Sequence, residues 1–215
     1  MLRIPVVLLL PLLVLGACNE DTIKGSGNVI TEVRPVGKFT AIRLSGIGKL
    51  VIERSEAESL TVTVDDNLLP LYESEVREGT LYLSVGRGKT PGRTATYKVA
   101  VSDLREVKVS GAASVEAARL DSETLSMSIS GAGSAKLAGR AGTLVLWISG
   151  AGSLNAAELN ARRATAVVSG AGGVTVNASD ELDARVSGAG SVRYIGAPRL
   201  TSQVSGAGSV RAVPN

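Results

Sequence analysis

Ser110-Gly111-Ala112-Ala113-Ser114, Ser130-Gly131-Ala132-Gly133-Ser134, Ser149-Gly150-Ala151-Gly152-Ser153, Ser169-Gly170-Ala171-Gly172-Gly173, Ser187-Gly188-Ala189-Gly190-Ser191 and Ser205-Gly206-Ala207-Gly208-Ser209 are six copies of one pentapeptide. Their first serines lie 20, 19, 20, 18 and 18 residues apart. A period that regular is the mark of stacked structural units. Before each copy the apolar residues alternate with period two: Val107/Val109, Leu125/Met127/Ile129, Leu144/Leu146/Ile148, Ala164/Ala166/Val168, Leu182/Ala184/Val186 and Leu200/Ser202/Val204. A shorter alternation follows each copy, as in Val115/Ala117, Leu154/Ala156 and Val192/Tyr194. Such alternation belongs to strands with one buried face, so each repeat supplies at least two short strands and no helical period.

An 18 to 20 residue unit of this kind is one coil of a parallel β-helix, or β-solenoid, in which every strand pairs with its equivalent in the next repeat. The fold class is therefore all-β. Gly at the corner can adopt the positive φ of a sharp bend, and a small residue fits where the coil narrows. The serines are expected to stack as hydroxyl ladders along one edge. Six coils at about 4.8 Å per step give a rod of roughly 25 to 30 Å. Left-handed hexapeptide helices keep apolar residues at six-residue spacing, which this chain does not; a right-handed coil is favoured.

From Phe39 to Val109 the pattern is still β but less periodic. Ser45-Gly46-Ile47-Gly48 is a degenerate corner, and further strands are expected at Leu60 to Val64, Thr80 to Val85 and Tyr97 to Val101. Asp66 to Ser74 reads as a turn or a single helical turn with Asp66 or Asn67 as its N-cap. Residues 28–105 are thus expected to be irregular opening coils, a β cap, and 106–215 the regular coils of one domain, because terminal repeats are atypical.

The N-terminus carries an address. Arg3 precedes an apolar run from Ile4 to Leu15, too short to span a bilayer comfortably, and Leu15-Gly16-Ala17-Cys18 resembles a bacterial lipobox. The one cysteine of the chain falls at the expected cleavage point. Residues 1–17 are read as a lipoprotein signal peptide, Cys18 as the acylated residue that anchors the chain to a membrane, and 18–27 as a tether. Asn19, where inner-membrane retention signals carry Asp, favours the outer membrane of the bacterial envelope.

Composition narrows the chemistry. The 215 residues include no His, one Trp, four Tyr and one Phe, with 44% hydrophobic content and a net charge of +3. Without histidine the usual base for a serine nucleophile is missing. Gly86-Arg87-Gly88-Lys89-Thr90 lacks the first glycine of a phosphate-binding loop, and the repeated Gly-x-Gly lacks the helix a dinucleotide requires. No cofactor or metal site is expected. Asp65, Asp66 and Asn67 read as a strand-end turn in preference to a calcium site. Nucleic acid is disfavoured by the scarcity of aromatic residues for stacking. Arg87, Lys89, Arg93 and Lys98 form one local basic concentration, read as a solvated loop. By alternation Val145 and Trp147 point away from the core, with Val167 at the matching position one coil later. This candidate patch is either covered by the tether or the opening coils, or free for a partner.

Val33 to Gly48, Leu60 to Pro70, Glu78 to Leu81 and the Ser-Gly-Ala-Gly-Ser copies together resemble the head GIN domain family, named for auto-transporter adhesins. The resemblance runs from about Gly27 to the C-terminus and implies an envelope-associated β-helical protein, often lipid-anchored. It brings no catalytic or ligand residues. Ala113 and Gly173 depart from the repeat. The reading is a non-enzymatic, lipid-anchored β-solenoid adhesin or interaction protein with a protein or glycan partner not named by the sequence. The alternatives are a periplasm-facing structural or envelope-maintenance lipoprotein and, more weakly, a carbohydrate-active β-helix enzyme. The oligomeric state stays open: the last coil leaves end-to-end association available, with Pro214 placed to protect that edge.

Overall fold

The computed structural model describes residues 22–214. Cys18 and the signal segment lie outside them. Strands account for 72% of the described residues, in stacked parallel coils that make a β-solenoid of about five turns. The opening region contributes β1 (Thr22–Ile23), β2 (Val29–Arg34), β3 (Ala41–Gly46), β4 (Lys49–Arg54), β5 (Ser59–Asp65), β6 (Tyr72–Arg77), β7 (Thr80–Val85), β8 (Thr90–Pro91) and β9 (Thr96–Val101). The coils follow as β10 (Glu106–Gly111), β11 (Ser114–Gly131), β12 (Ser134–Gly150), β13 (Ser153–Gly170), β14 (Gly173–Gly188), β15 (Ser191–Ile195), β16 (Arg199–Ser205) and β17 (Ser209–Ala212).

Each of β11 to β14 is close to a whole coil, because pairing with the next coil is kept almost without a break around the bend. The ladder slips where the chain turns, between Ala117 and Leu120 in β11 and between Lys136 and Ala138 in β12. Arg119 takes φ 57° at the first of these bends and Gly139 φ 135° at the second. The extra residue of a bulge sharpens the bend while the flanking strands stay in register.

The core is the single line of inward residues that the alternation marks. Leu125, Met127 and Ile129, then Leu144, Leu146 and Ile148, then Ala164, Ala166 and Val168 are all buried. The last coil is different: Leu200 is 38% and Val204 44% exposed, whereas their counterparts Leu182 and Val186 are 1% and 2% exposed. The period-two pattern alone marks Leu200, Ser202 and Val204 as a buried face. No coil among the described residues stacks on them, so that expectation is corrected.

The opening region continues the stack and then departs from it. β3 runs parallel to β10 with Ser45 opposite Ser110 and Gly46 opposite Gly111, and β4 runs parallel to β11. Beyond these, β7 and β9 are still parallel to β3 and β4. The outermost layer is antiparallel: β6 on β7, β5 on β9 and β2 on β5. Phe39, Tyr72 and Tyr97 fill the space inside, with the rings of Tyr72 and Tyr97 edge to face at 6.2 Å. Leu69–Leu71 form a 3-10 turn whose N-cap is Leu68, with no side-chain cap. The expected capping role of Asp66 or Asn67 is therefore corrected: their side chains turn to another segment.

Candidate functional site

One regular surface is the outer face of the sheet made by β3, β10, the C-terminal halves of β11 to β14, and β16. Period two sends every second residue outward, and register aligns those residues into columns. One column runs Tyr82, Arg43, Lys108, Ser128, Trp147, Val167, Arg185 and Gln203. A second runs Glu106, Ser126, Val145, Thr165, Asp183 and Thr201. At the opening end the guanidinium groups of Arg43 and Arg77 lie over the Tyr82 ring, 5.6 and 4.5 Å from its centre.

Trp147 sits mid-column and is 53% exposed, while Leu146 and Ile148 on either side of it are buried. Val145 and Val167 are half-buried beside it. The structure thus brings the three candidate patch residues together, with Ser128 and Thr165 as polar neighbours. The segment read as a tether does not lie on them, for its described part is bound elsewhere.

The corners explain the pentapeptide. The first glycine of every copy has positive φ, from 106° at Gly206 to 124° at Gly150. A Cβ on Gly131 would come within 2.6 Å of the Gly111 carbonyl oxygen, and one on Gly170 within 2.5 Å of the Gly150 oxygen. The second glycine, at the fourth position, is held small by packing. A Cβ on Gly152 would meet Gly133 O and Ile129 Cγ2, both at 2.9 Å, and one on Gly190 would meet Val168 Cγ1 at 2.4 Å. Gly133, Gly172 and Gly208 meet the same crowding, and Gly188 repeats the first-glycine geometry. Ser45, Ser110, Ser130, Ser149, Ser169, Ser187 and Ser205 form an exposed in-register column at this edge.

Sequence reasoning did not find the latch that ties the N-terminal segment to the opening region. Thr22 and Ile23 pair in parallel with Thr90 and Pro91. Asp65 is buried and accepts from Gly27 N at 3.0 Å and Arg93 Nη1 at 2.8 Å. Asp66 accepts from Ser26 Oγ at 2.5 Å and Asn28 Nδ2 at 2.8 Å, and Asn67 Nδ2 donates to Lys24 O at 2.8 Å. The Gly27 amide and the Arg93 guanidinium hold the Asp65 carboxyl below its ordinary range, and hydrogen bonds from Ser26 and Asn28 do the same for Asp66. Three adjacent polar residues at a strand end were the signal; the partner segment, about forty positions away in sequence, was not legible.

The basic loop divides on inspection. Arg93 belongs to the latch, and Lys98 lies on β9 between Val51 and Thr61. Only Arg87 and Lys89 remain together on the loop, both exposed. Among the described residues no cluster of metal-ligating side chains forms.

A family model described as "Putative auto-transporter adhesin, head GIN domain" matches residues 38–198. Among solved structures, a putative adhesin from Bacteroides fragilis is similar with a TM-score of 0.73 and 25% identity, over 89% of this chain and 100% of its own. A putative lipid binding protein from Parabacteroides distasonis has a TM-score of 0.61 and 22% identity, over 89% and 99% of the two chains. A putative adhesin from the same organism has a TM-score of 0.58 and 23% identity, over 90% and 100%. The last two likenesses are of fold. No curated protein matches the chain.

Proposed function

The chain belongs to the head GIN domain family, and on that premise we propose that it is a non-enzymatic interaction protein of the bacterial envelope, anchored by acylation of Cys18 and displaying a rigid rod for adhesion. Several acyl chains, at about 0.8 kcal/mol per buried CH₂, hold such an anchor permanently. Residues 1–17 act as the signal, and the mature chain begins at Cys18 in the outer membrane. The observation that carries the reading is the outer sheet face: Trp147 stands 53% exposed beside Val145 and Val167, in columns whose other members are mostly polar or charged, on a backbone paired on both sides. A rigid platform with an exposed tryptophan and repeated polar columns suits multivalent, individually weak contacts.

Three experiments test this. Protease added to intact cells carrying an epitope-tagged copy digests the rod if it is displayed outside, while a periplasmic control protein stays intact. Protection of the rod supports the periplasm-facing alternative instead. Trp147→Ala then lowers adhesion of displaying cells without changing the thermal unfolding of the protein; unchanged adhesion removes the patch. Replacing Cys18 by Ser releases the chain from the membrane fraction, and retention would overturn the anchor.

A further inference from the structure

The return bend of the coils carries a groove of about 430 Å³, away from both the outer sheet face and the serine column. Its floor is Ala141, Gly142 and Ala161, where small side chains leave the bend recessed. One wall is an in-register column of Asp121, Arg140, Asn160 and Asn177, each from a successive coil. Two residues beyond Asn160, Arg162 points outward again and lines the groove from across the floor.

Charge in this groove is unbalanced. Arg54 Nη1 and Arg140 Nη2 both donate to Asp121 Oδ2 at 3.1 Å, so one carboxylate answers two guanidinium groups. Arg162 is exposed and has no ion pair or hydrogen bond among the described residues. Glu123 and Asp180 are not part of the lining, which places the excess positive charge between Arg140 and Arg162. Next to it, Asn177 Nδ2 donates to Asn160 Oδ1 at 2.9 Å. That pairing leaves the other amide atom of each, the Asn160 nitrogen and the Asn177 oxygen, outside it.

We propose that this groove binds an acidic oligosaccharide, with a sugar carboxylate held by Arg140 and Arg162 and neighbouring hydroxyls met by Asn160 and Asn177. A guanidinium fork matches a carboxylate in two parallel hydrogen bonds. Coils about 4.8 Å apart give the four-residue column a length of about 14 Å, which suits a repeating polar chain better than a single small ion. An extended peptide is the poorer fit. β13 is paired on both sides by β12 and β14, so no strand edge is offered for augmentation, and the lining holds no apolar side chain larger than Ala.

The groove is a second site beyond the adhesion reading, and the two can fail separately. The full chain, purified from membranes in detergent, is titrated by calorimetry with an oligogalacturonate tetrasaccharide and with its methyl ester. The acid binds saturably and the ester about tenfold more weakly or worse, since only the charge differs. Arg162→Ala and Arg140→Ala each weaken binding about tenfold, Arg162→Lys weakens it less, and Trp147→Ala and Arg87→Ala leave it unchanged. Arg162 is exposed and makes no hydrogen bond or ion pair among the described residues, so Arg162→Ala is expected to melt at the wild-type temperature, and equal melting temperatures show that a loss of binding is not a folding effect. Absence of binding, equal affinity for acid and ester, or wild-type affinity in Arg162→Ala overturns the proposal. Equal affinity for a polyglutamate peptide overturns the choice of sugar. If binding fails while Trp147-dependent adhesion persists, the groove falls and the adhesion reading stands. If binding succeeds while the rod is protected from external protease, the groove stands and the adhesion reading falls.

Discussion

Residues 22–105 and residues 106–214 are both built of stacked strands, but different chemistry holds each half. In the opening region the core is closed by bulky side chains, Phe39, Tyr72 and Tyr97 among them, and the outer layer is antiparallel. Side-chain hydrogen bonds between distant segments lock it, with Asp65, Asp66 and Asn67 gripping residues 24–28. In the coils the inward residues are aliphatic and often only Ala, as at 156, 164, 166, 178 and 184. There the backbone ladder and the glycine corners define the structure. Where a coil stacks on its own likeness, register and clearance suffice; where the stack meets a different layer, large side chains must fill an irregular space.

Changing the backbone rule in the coils is the hardest way to break this contrast. Gly131→Val places a β-branched residue at φ 121° with its Cβ 2.6 Å from a carbonyl oxygen, a combination of strain and overpacking that costs about 3 kcal/mol or more. Chemical denaturation measures it, with the exposed neighbour Ala132→Val as a control within about 0.5 kcal/mol of the parent.

The opening region should instead break through its side chains and through pH. Because Asp65 and Asp66 are held below their ordinary carboxyl range, the latch contributes stability above that range and loses it as pH falls through the lowered values. Hydrogen exchange followed from neutral to acid pH is expected to show the amides of Gly27 and Asn28 losing protection first, while amides of β12 and β13 hold. Asp65→Asn should show the early loss already at neutral pH. Simultaneous loss in both regions would mean that the latch is not a separate unit.

A smaller effect is expected inside the cap. The Tyr97 hydroxyl is buried without a hydrogen-bond partner among the described residues, and burial pushes it far above the ordinary tyrosine range. Tyr97→Phe removes an unsatisfied polar group and is expected to leave stability unchanged or raise it by up to about 1 kcal/mol. Loss of stability on thermal melting would show that the hydroxyl has a partner. The smallest effect is expected at Arg119, a non-glycine residue at φ 57° that pairs with the exposed Glu53 at 3.0 Å. Arg119→Gly trades that strain for an exposed pair and is expected to stay within about 1 kcal/mol of the parent.

The coils were largely legible. The interval between serines gave the coil length, the alternation gave the buried face, and the outward position of Val145, Trp147 and Val167 followed from the same period. The exposed last coil was misread because alternation reports which way a side chain points and says nothing about whether a further layer covers it. The opening region was legible only as strands. β2 pairs with β5 and β5 with β9, a topology with no internal repeat to announce it. The latch and the groove were missed for the same reason: each gathers residues that are far apart in sequence, and no short motif contains them.

The sequence by itself therefore determined the coil, its corner and its core face, because those are local consequences of a repeat: a residue and its equivalent one period later meet the same neighbours. Only the tertiary structure decided which outward columns are crowded and which stay open, that Asp65 answers Gly27 and Arg93, and that Arg140 and Arg162 share a recess over Gly142. These depend on bends, slips of register and unequal coil lengths accumulated along the stack, and such offsets are properties of the assembled layers, absent from any single repeat.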